Sequence, residues 1–194
     1  MSEKVYAEKE RAILISAVDL MREGRDVSEM KVADIAAAAN VGKGTVYEYF
    51  SSKEEIISEA ISYGTQAWLS CMQAEVNRQA TFDDKLDVML DWLQDSAKER
   101  RMLLQIHKGT PQDCGRALFV DIVAHAVQAL FMGILDAGER EGKIQITNKE
   151  YAIYSIVYLL LGYAVTRFVG SDFQRNAKEK QDMRKMIDTL LASA

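Results

Sequence analysis

A single proline, Pro111, stands in a chain of 194 residues, where average usage of roughly 5% would place about ten. Proline removes a backbone donor and clashes with the preceding helical turn, so its scarcity leaves long helices uninterrupted. With glycine at an ordinary 11 residues, the fold class expected is all-α. Hydrophobic residues at 48% beside 27% charged residues describe a chain that buries a core, neither disordered nor membrane-embedded. The length suits one ordinary domain, or one with a small appendage.

The apolar spacing divides the chain into helices. Ile13, Leu14, Ala17, Leu20 and Met21 recur at three- and four-residue intervals after Glu8 until Gly24 stops the first helix. Val32 to Ala39 makes a short second helix, and Asn40-Val41-Gly42 forms a tight turn into a third, Lys43 to Phe50. Asn tolerates the left-handed backbone that such a turn needs. Ser51-Ser52-Lys53-Glu54-Glu55 contains Ser-x-x-Glu twice, a capping box for a fourth helix reaching Gln79. Thr81-Phe82-Asp83-Asp84 caps a fifth, whose Leu86, Met89, Leu90 and Leu93 share one face. Beyond a short apolar segment, Gly109-Thr110-Pro111 breaks the chain, and a helix of about thirty residues runs to Gly142. Lys143 to Thr147 is an extended connector, Tyr151 to Val169 is apolar throughout, and Met183, Met186, Ile187, Leu190 and Leu191 mark a final amphipathic helix. The expected architecture has about nine helices: a three-helix domain over residues 1–51 and a helical domain over 52–194.

Two helices joined by a three- or four-residue turn after a first helix form a helix-turn-helix, whose third helix can enter the DNA major groove. An ordinary three-helix corner is the alternative. The outer face of the third helix separates the two. Val46 and Phe50, at i and i+4, should face inward, leaving Lys43, Thr45, Tyr47 and Tyr49 outward. Exposed tyrosines cost solubility but suit phosphate and groove contacts. Lys53 sits in the first turn of the fourth helix, against the helix dipole, and a bound phosphate would account for it. The plainer account is that Glu54 and Glu55 offset its charge.

The run from Val32 to Ile57, with Asp34-Ile35-Ala36, Gly44-Thr45, Tyr47, Tyr49-Phe50 and Lys53-Glu54-Glu55 at their spacing, resembles the N-terminal signature of TetR-family (tetracycline-repressor-like) transcriptional regulators. The resemblance covers about the first quarter of the chain by motif and the rest by architecture only. It implies that Lys43, Gly44, Thr45, Glu48 and Tyr49 approach base edges or sugar-phosphate, and that Tyr47 and Lys53 clamp phosphates. Two positions depart from the pattern: Asn40 replaces a turn glycine, and Lys31 stands where a hydroxyl residue commonly caps the second helix.

Overall charge points the other way. Twenty-four basic against 29 acidic residues give −5, unlike the basic surplus that often marks nucleic-acid binders. Residues 1–53 hold eight basic and nine acidic groups, so phosphate recognition would have to be local.

The remaining two-thirds suggest a partner and a pocket. The uncharged stretch Tyr151 to Thr166 is too short to span a bilayer. Its seam, Tyr151, Tyr154, Tyr158, Leu161, Val165 and Phe168, follows heptad spacing. With Met183, Ile187 and Leu190 of the last helix it would build a four-helix bundle across a two-fold axis, a homodimer interface. Trp68, Met72, Met89, Trp92, Met102, Phe119, Phe131 and Met132 are individually plausible core, and the family resemblance implies an effector cavity that they would line. Asp121, His125 and Gln128 share a stripe that continues through Asp136 and Glu139, which reads as a solvent edge. With two histidines and two separated cysteines, neither a metal site nor a cofactor is expected.

The expected function is a homodimeric, ligand-responsive repressor that binds a pseudo-palindromic operator in double-stranded DNA and is released by a small apolar or amphipathic effector. The segment Met1 to Arg11 is charged and lacks the apolar run of a secretory signal, so a cytoplasmic protein is expected. The alternative is a helical small-molecule carrier or an enzyme retaining the N-terminal fold, with Cys114 and His107 as nucleophile and base.

Overall fold

A computed structural model describes residues 5–95, 114–169 and 177–192. The described residues form eight helices and no strand: α1 (Glu8–Arg22), α2 (Val32–Ala38), α3 (Lys43–Tyr49), α4 (Lys53–Arg78), α5 (Phe82–Asp95), α6 (Cys114–Arg140), α7 (Lys149–Val169) and α8 (Ala177–Ala192). The all-α expectation holds, and the boundaries fall within a residue or two of the apolar spacing. The short apolar segment before Pro111, and His107 within it, lie outside the described residues.

Local chemistry sets the helix ends. Three helices close with the same motif, in which a left-handed residue lets two N–H groups turn back onto the last-turn carbonyls. After α1 that residue is Gly24, with φ +94°; its N–H donates to the Met21 carbonyl at 3.0 Å and that of Arg25 to Leu20 at 3.1 Å. After α6 it is Gly142, with φ +68°. After α2 it is Asn40, the one described non-glycine at positive φ, 54°. Here Asn40 N–H donates to Ala37 at 3.1 Å and Val41 N–H to Ala36 at 3.0 Å, so the departure from a turn glycine leaves the turn intact.

The starts are capped as their sequences require. Ser52 Oγ accepts the Glu55 N–H at 3.1 Å, and the Glu55 carboxylate accepts the N–H and hydroxyl of Ser51. Thr81 Oγ1 accepts the Asp84 N–H at 3.1 Å ahead of α5. Lys31 contributes no side-chain cap to α2, but Asp34 accepts the Lys31 N–H at 3.0 Å, which supplies half of a capping box.

The contacts divide the chain into two units, Met1–Leu69 with Ser96–Val123, and Ser70–Asp95 with Ala124–Ala194. In the first, Ile13, Leu14, Ala17 and Met21 of α1, Ile35 and Ala36 of α2, Val46 of α3, and Ile56, Ile57, Ala60 and Ile61 of α4 form one buried cluster. The three small helices therefore close their core over the first turns of α4. In the second, Leu86, Met89 and Leu90 of α5, Leu130, Phe131, Ile134 and Leu135 of α6, Ile153 and Ile156 of α7, and Met183, Ile187 and Leu191 of α8 are buried. A charged clasp joins α5 to α8 across that core: Arg184 pairs with Asp83 and Asp87 of α5 and with Asp188 of its own helix. Asp83 also meets Lys143, which pairs with Glu141 at 2.9 Å, and Glu141 accepts the Phe82 N–H at 2.7 Å.

Candidate nucleic-acid interface

The seven residues of α3 sort into stripes at i, i+4 spacing. Val46, with Phe50 just past the helix end, is buried in the first unit's core, at 0% and 2% exposed, which orients the helix. Lys43, Gly44, Tyr47 and Glu48 are consequently exposed together. The Lys43 ammonium lies 5.9 Å from the Tyr47 ring centroid, a cation–π distance. Half of the Tyr47 surface is open to solvent. Between these stripes, Thr45 and Tyr49 are half-buried. Tyr49 departs from the outward expectation, because its ring packs against the core cluster.

Gly44 carries information that the sequence did not. Its backbone is helical and a Cβ built there would meet nothing within 4 Å, so nothing in the chain's own packing requires glycine. A helical glycine is less stable than alanine by roughly 0.5–1 kcal/mol. Its absent side chain leaves room on the exposed face for the close approach of another molecule.

Lys53 is the other residue whose surroundings change its reading. Its ammonium donates to the Val27 carbonyl at 3.0 Å and the Ser28 carbonyl at 3.3 Å, in the loop between α1 and α2. The charge opposing the α4 dipole thus has acceptors within the chain. One turn and a half further along α4, Glu59 accepts the Tyr6 hydroxyl at 2.8 Å, and the Tyr6 and Tyr63 rings meet edge-on with centroids 5.6 Å apart. Burial, with the Glu59 carboxylate next, pushes the Tyr6 hydroxyl well above its ordinary range, so it remains a protonated donor.

The model for bacterial regulatory proteins of the tetR family matches residues 13–60, the stretch that builds α1–α3 and the start of α4. Residues 13–60 form a tetR-family N-terminal domain. An HTH-type transcriptional regulator of Staphylococcus aureus is 43% identical over 44 residues, a stretch that spans 23% of this chain and 23% of that protein. A solved tetR-family transcriptional regulator from Mesorhizobium loti superposes with a TM-score of 0.76 over 98% of both chains at 19% identity. The FadR regulator of Bacillus subtilis, solved in complex with stearoyl-CoA, gives 0.60 over 95% of this chain and 98% of that one at 18% identity. At these identities the structural likeness speaks for the fold, an N-terminal helix-turn-helix followed by a helical domain.

The expected pocket and partner residues are placed as follows. Met72, Met89 and Phe131 are buried, at 3%, 1% and 1% exposed, while Trp68, Trp92 and Met132 are half-buried. Met102 lies outside the described residues, as do the side chains of Cys114, Phe119, Asp121, Leu161, Val165 and Phe168. Thr65, which the sequence reading passed over, is buried with its hydroxyl lacking a hydrogen-bond partner among the described residues. It interrupts an otherwise apolar buried stripe of α4, Ile61, Leu69, Met72 and Val76.

On α7 the tyrosine seam is open: Tyr151, Tyr154 and Tyr158 are 65%, 50% and 71% exposed. Gly162, one turn beyond Tyr158, is exposed with nothing within 4 Å of a built Cβ. On α8, Met183 and Ile187 are buried in the chain's own core, Leu190 is half-buried, and Met186 is the exposed apolar residue. A heptad reading groups residues by face and does not say whether that face meets its own chain or another. Of the α6 stripe, His125 is exposed, Gln128, Asp136 and Glu139 are half-buried, and Asp136 and Glu139 pair with Lys149 at 2.5 and 2.7 Å. No described helix is long and apolar enough to cross a membrane.

Proposed function

We propose that this chain is a DNA-binding repressor that acts as a homodimer, with residues 1–51 as the DNA-binding domain, residues 52–194 as the effector and dimerisation domain, and α3 as the recognition helix. The observation that carries the reading is the exposed face of α3, where Lys43, Tyr47 and Glu48 surround a glycine that no packing within the chain demands. Lys43 and the Tyr47 hydroxyl supply donors to phosphate, Glu48 reaches toward base edges, Thr45 and Tyr49 border the contact, and Gly44 lets the helix backbone come close. The bulk charge of −5 places affinity on these local contacts, doubled by a second copy.

That second copy docks on α7. Three exposed tyrosines and an open glycine, with the exposed Met186 on α8, supply an apolar, close-packing surface of the kind that a two-fold interface uses. Its two recognition helices would fall in major grooves about one turn, ~34 Å, apart, on a pseudo-palindromic operator. The effector is a small apolar or amphipathic molecule received among the methionines and aromatics of the helical domain. Because α4 contributes residues to both units, a shift of that helix on effector binding would change the spacing of the recognition helices, which needs a coupling of only ~1–3 kcal/mol. The stearoyl-CoA bound by the B. subtilis structural neighbour makes a long-chain acyl-CoA the first probe.

Footprinting on the DNA flanking the chain's own gene tests this, combined with sedimentation of the complex. Two protected half-sites in successive major grooves and two copies per site are expected. Saturable binding by a single copy, or no protected site, would overturn the reading, and Tyr158→Glu should convert the free protein to monomer.

A further inference from the structure

Glu48 stands two residues after Val46 and two before Phe50, and at about 100° of helix rotation per residue each such step turns it roughly 200°. It therefore faces directly away from both buried side chains, which are 0% and 2% exposed. Gly44, one turn earlier, shares this outermost stripe and leaves open space on it. The donors of α3 stand to either side. Lys43 and Tyr47 lie on one flank, the ammonium 5.9 Å from the ring centroid, and Thr45 and Tyr49 on the other. Glu48 is exposed and makes no hydrogen bond or ion pair among the described residues.

Donors at the flanks with an acceptor at the centre match a major groove, whose walls are phosphates and whose floor is base edges. A carboxylate carries acceptors only, so near a polyanion it is repelled by each phosphate and by each base acceptor that it meets. It is accommodated where the groove presents a donor. The donors there are the amino groups of cytosine N4 and adenine N6, and the adenine amino group lies beside the N7 acceptor, whereas cytosine presents its amino group without one.

We propose that Glu48 is the specificity-determining residue of α3 and accepts a hydrogen bond from the amino group of a cytosine in each half-site. The proposal rests on the DNA-binding reading above and adds to it the base that the α3 face reads. The same carboxylate discriminates against what it does not bind, since a guanine or thymine at that place sets an O6 or O4 acceptor against it. Sequence preference then comes from Glu48, while Lys43 and Tyr47 supply phosphate affinity that is indifferent to sequence.

The test selects bound duplexes from a library randomised across the DNA flanking the chain's own gene, for wild type, Glu48→Ala and Glu48→Gln. Affinity is then measured for single-base variants of the selected site at one salt concentration. Wild type should enrich cytosine at one position in each half-site, and exchanging that base pair should weaken binding by about tenfold per half-site. Glu48→Ala should lose the preference at that position alone, bind unmatched duplexes more tightly than wild type does, and keep the wild-type unfolding midpoint. Glu48→Gln, whose amide pairs with adenine N6 and N7, should enrich adenine there. An unchanged preference at every position in Glu48→Ala, or affinities raised by one common factor for all sequences, overturns the assignment of Glu48 and leaves the DNA-binding reading standing. Loss of an adenine preference in place of a cytosine one overturns it equally. A wild type that enriches no sequence overturns both the assignment and the DNA-binding reading.

Discussion

Replacing Gly44 by alanine separates what the chain needs from what its partner needs. Gly44 is helical, exposed and surrounded by open space, so the added methyl group clashes with nothing and the unfolded chain loses conformational freedom. The gain for a helical site is roughly 0.5–1 kcal/mol, and the position in the first turn of α3 puts it near the lower figure. At about 2–4 °C per kcal/mol for a chain of this size, the midpoint should rise by about 1–2 °C. Against DNA the sign reverses, since the methyl occupies the space through which the helix backbone approaches. A loss of about 1 kcal/mol at each of two recognition helices weakens binding by about 30-fold. The assay pairs thermal unfolding with fluorescence anisotropy on the flanking duplex. Gly133→Ala is the control: that glycine is also exposed with nothing within 4 Å but lies on α6, so it should stabilise without touching DNA affinity. A Gly44→Ala protein that is stabilised and binds DNA as tightly as wild type would refute the assignment of the α3 face, and a destabilised one would refute the open-space argument.

Three further outcomes follow from the packing. Gly138→Ala should destabilise by about 1–3 kcal/mol in urea unfolding, because a Cβ there would lie 2.6 Å from Ile144 Cδ1 and 2.9 Å from the buried Phe82 ring; a neutral result would mean that both side chains yield freely. Thr65→Val should stabilise by about 1 kcal/mol, since it removes a buried hydroxyl without a partner among the described residues and keeps the shape; a destabilised variant would show that the hydroxyl is satisfied. The clasp between α5 and α8 should weaken in acid. Hydrogen bonds from Lys143 and then Arg184 hold Asp83 below its ordinary value, and hydrogen bonds from Lys143 and the Phe82 N–H do the same for Glu141. Carboxylates depressed in the folded state contribute stability that is complete above their unfolded values, near 4, and is lost as pH falls through the folded ones. Stability measured from pH 6 to 3 should therefore fall below about pH 4 in the wild type and less steeply in Asp83→Asn; equal slopes would remove Asp83 from the account.

The helices were legible because their apolar residues repeat at helical spacing and their ends carry local signals. Gly24 and Asn40 take the left-handed backbone that their turns demand, and Ser52 and Thr81 cap as expected. The α3 face was legible in part: of the four residues that burying Val46 and Phe50 should leave outside, Lys43 and Tyr47 are exposed, while Thr45 and Tyr49 are half-buried. What escaped was decided by contacts distant in sequence. Tyr49 lies at the edge of the buried stripe, where periodicity does not say which side its ring takes. Lys53 looked unpartnered because its acceptors are 26 and 25 residues away. Met183 and Ile187 share a heptad face with their neighbours, but their own chain covers them and leaves Met186 outside. Gly44 and Gly138 are the same letter with opposite meanings, one in open space and one pressed by Ile144 and Phe82, a distinction that exists only in three dimensions.

The claim that the exposed face of α3 reads DNA is tested most directly by binding of the purified protein to the duplex flanking its own gene, at stated salt, for wild type and a Lys43→Met/Tyr47→Ala variant. Both residues are exposed, so the variant should fold and assemble as the wild type does. Saturable, sequence-preferring binding by the wild type, reduced at least 100-fold in the variant with a shallower salt dependence, is the result expected for two copies each losing a phosphate and a groove contact. Equal binding by both proteins, or binding by the wild type with no preference among sequences, would contradict the account.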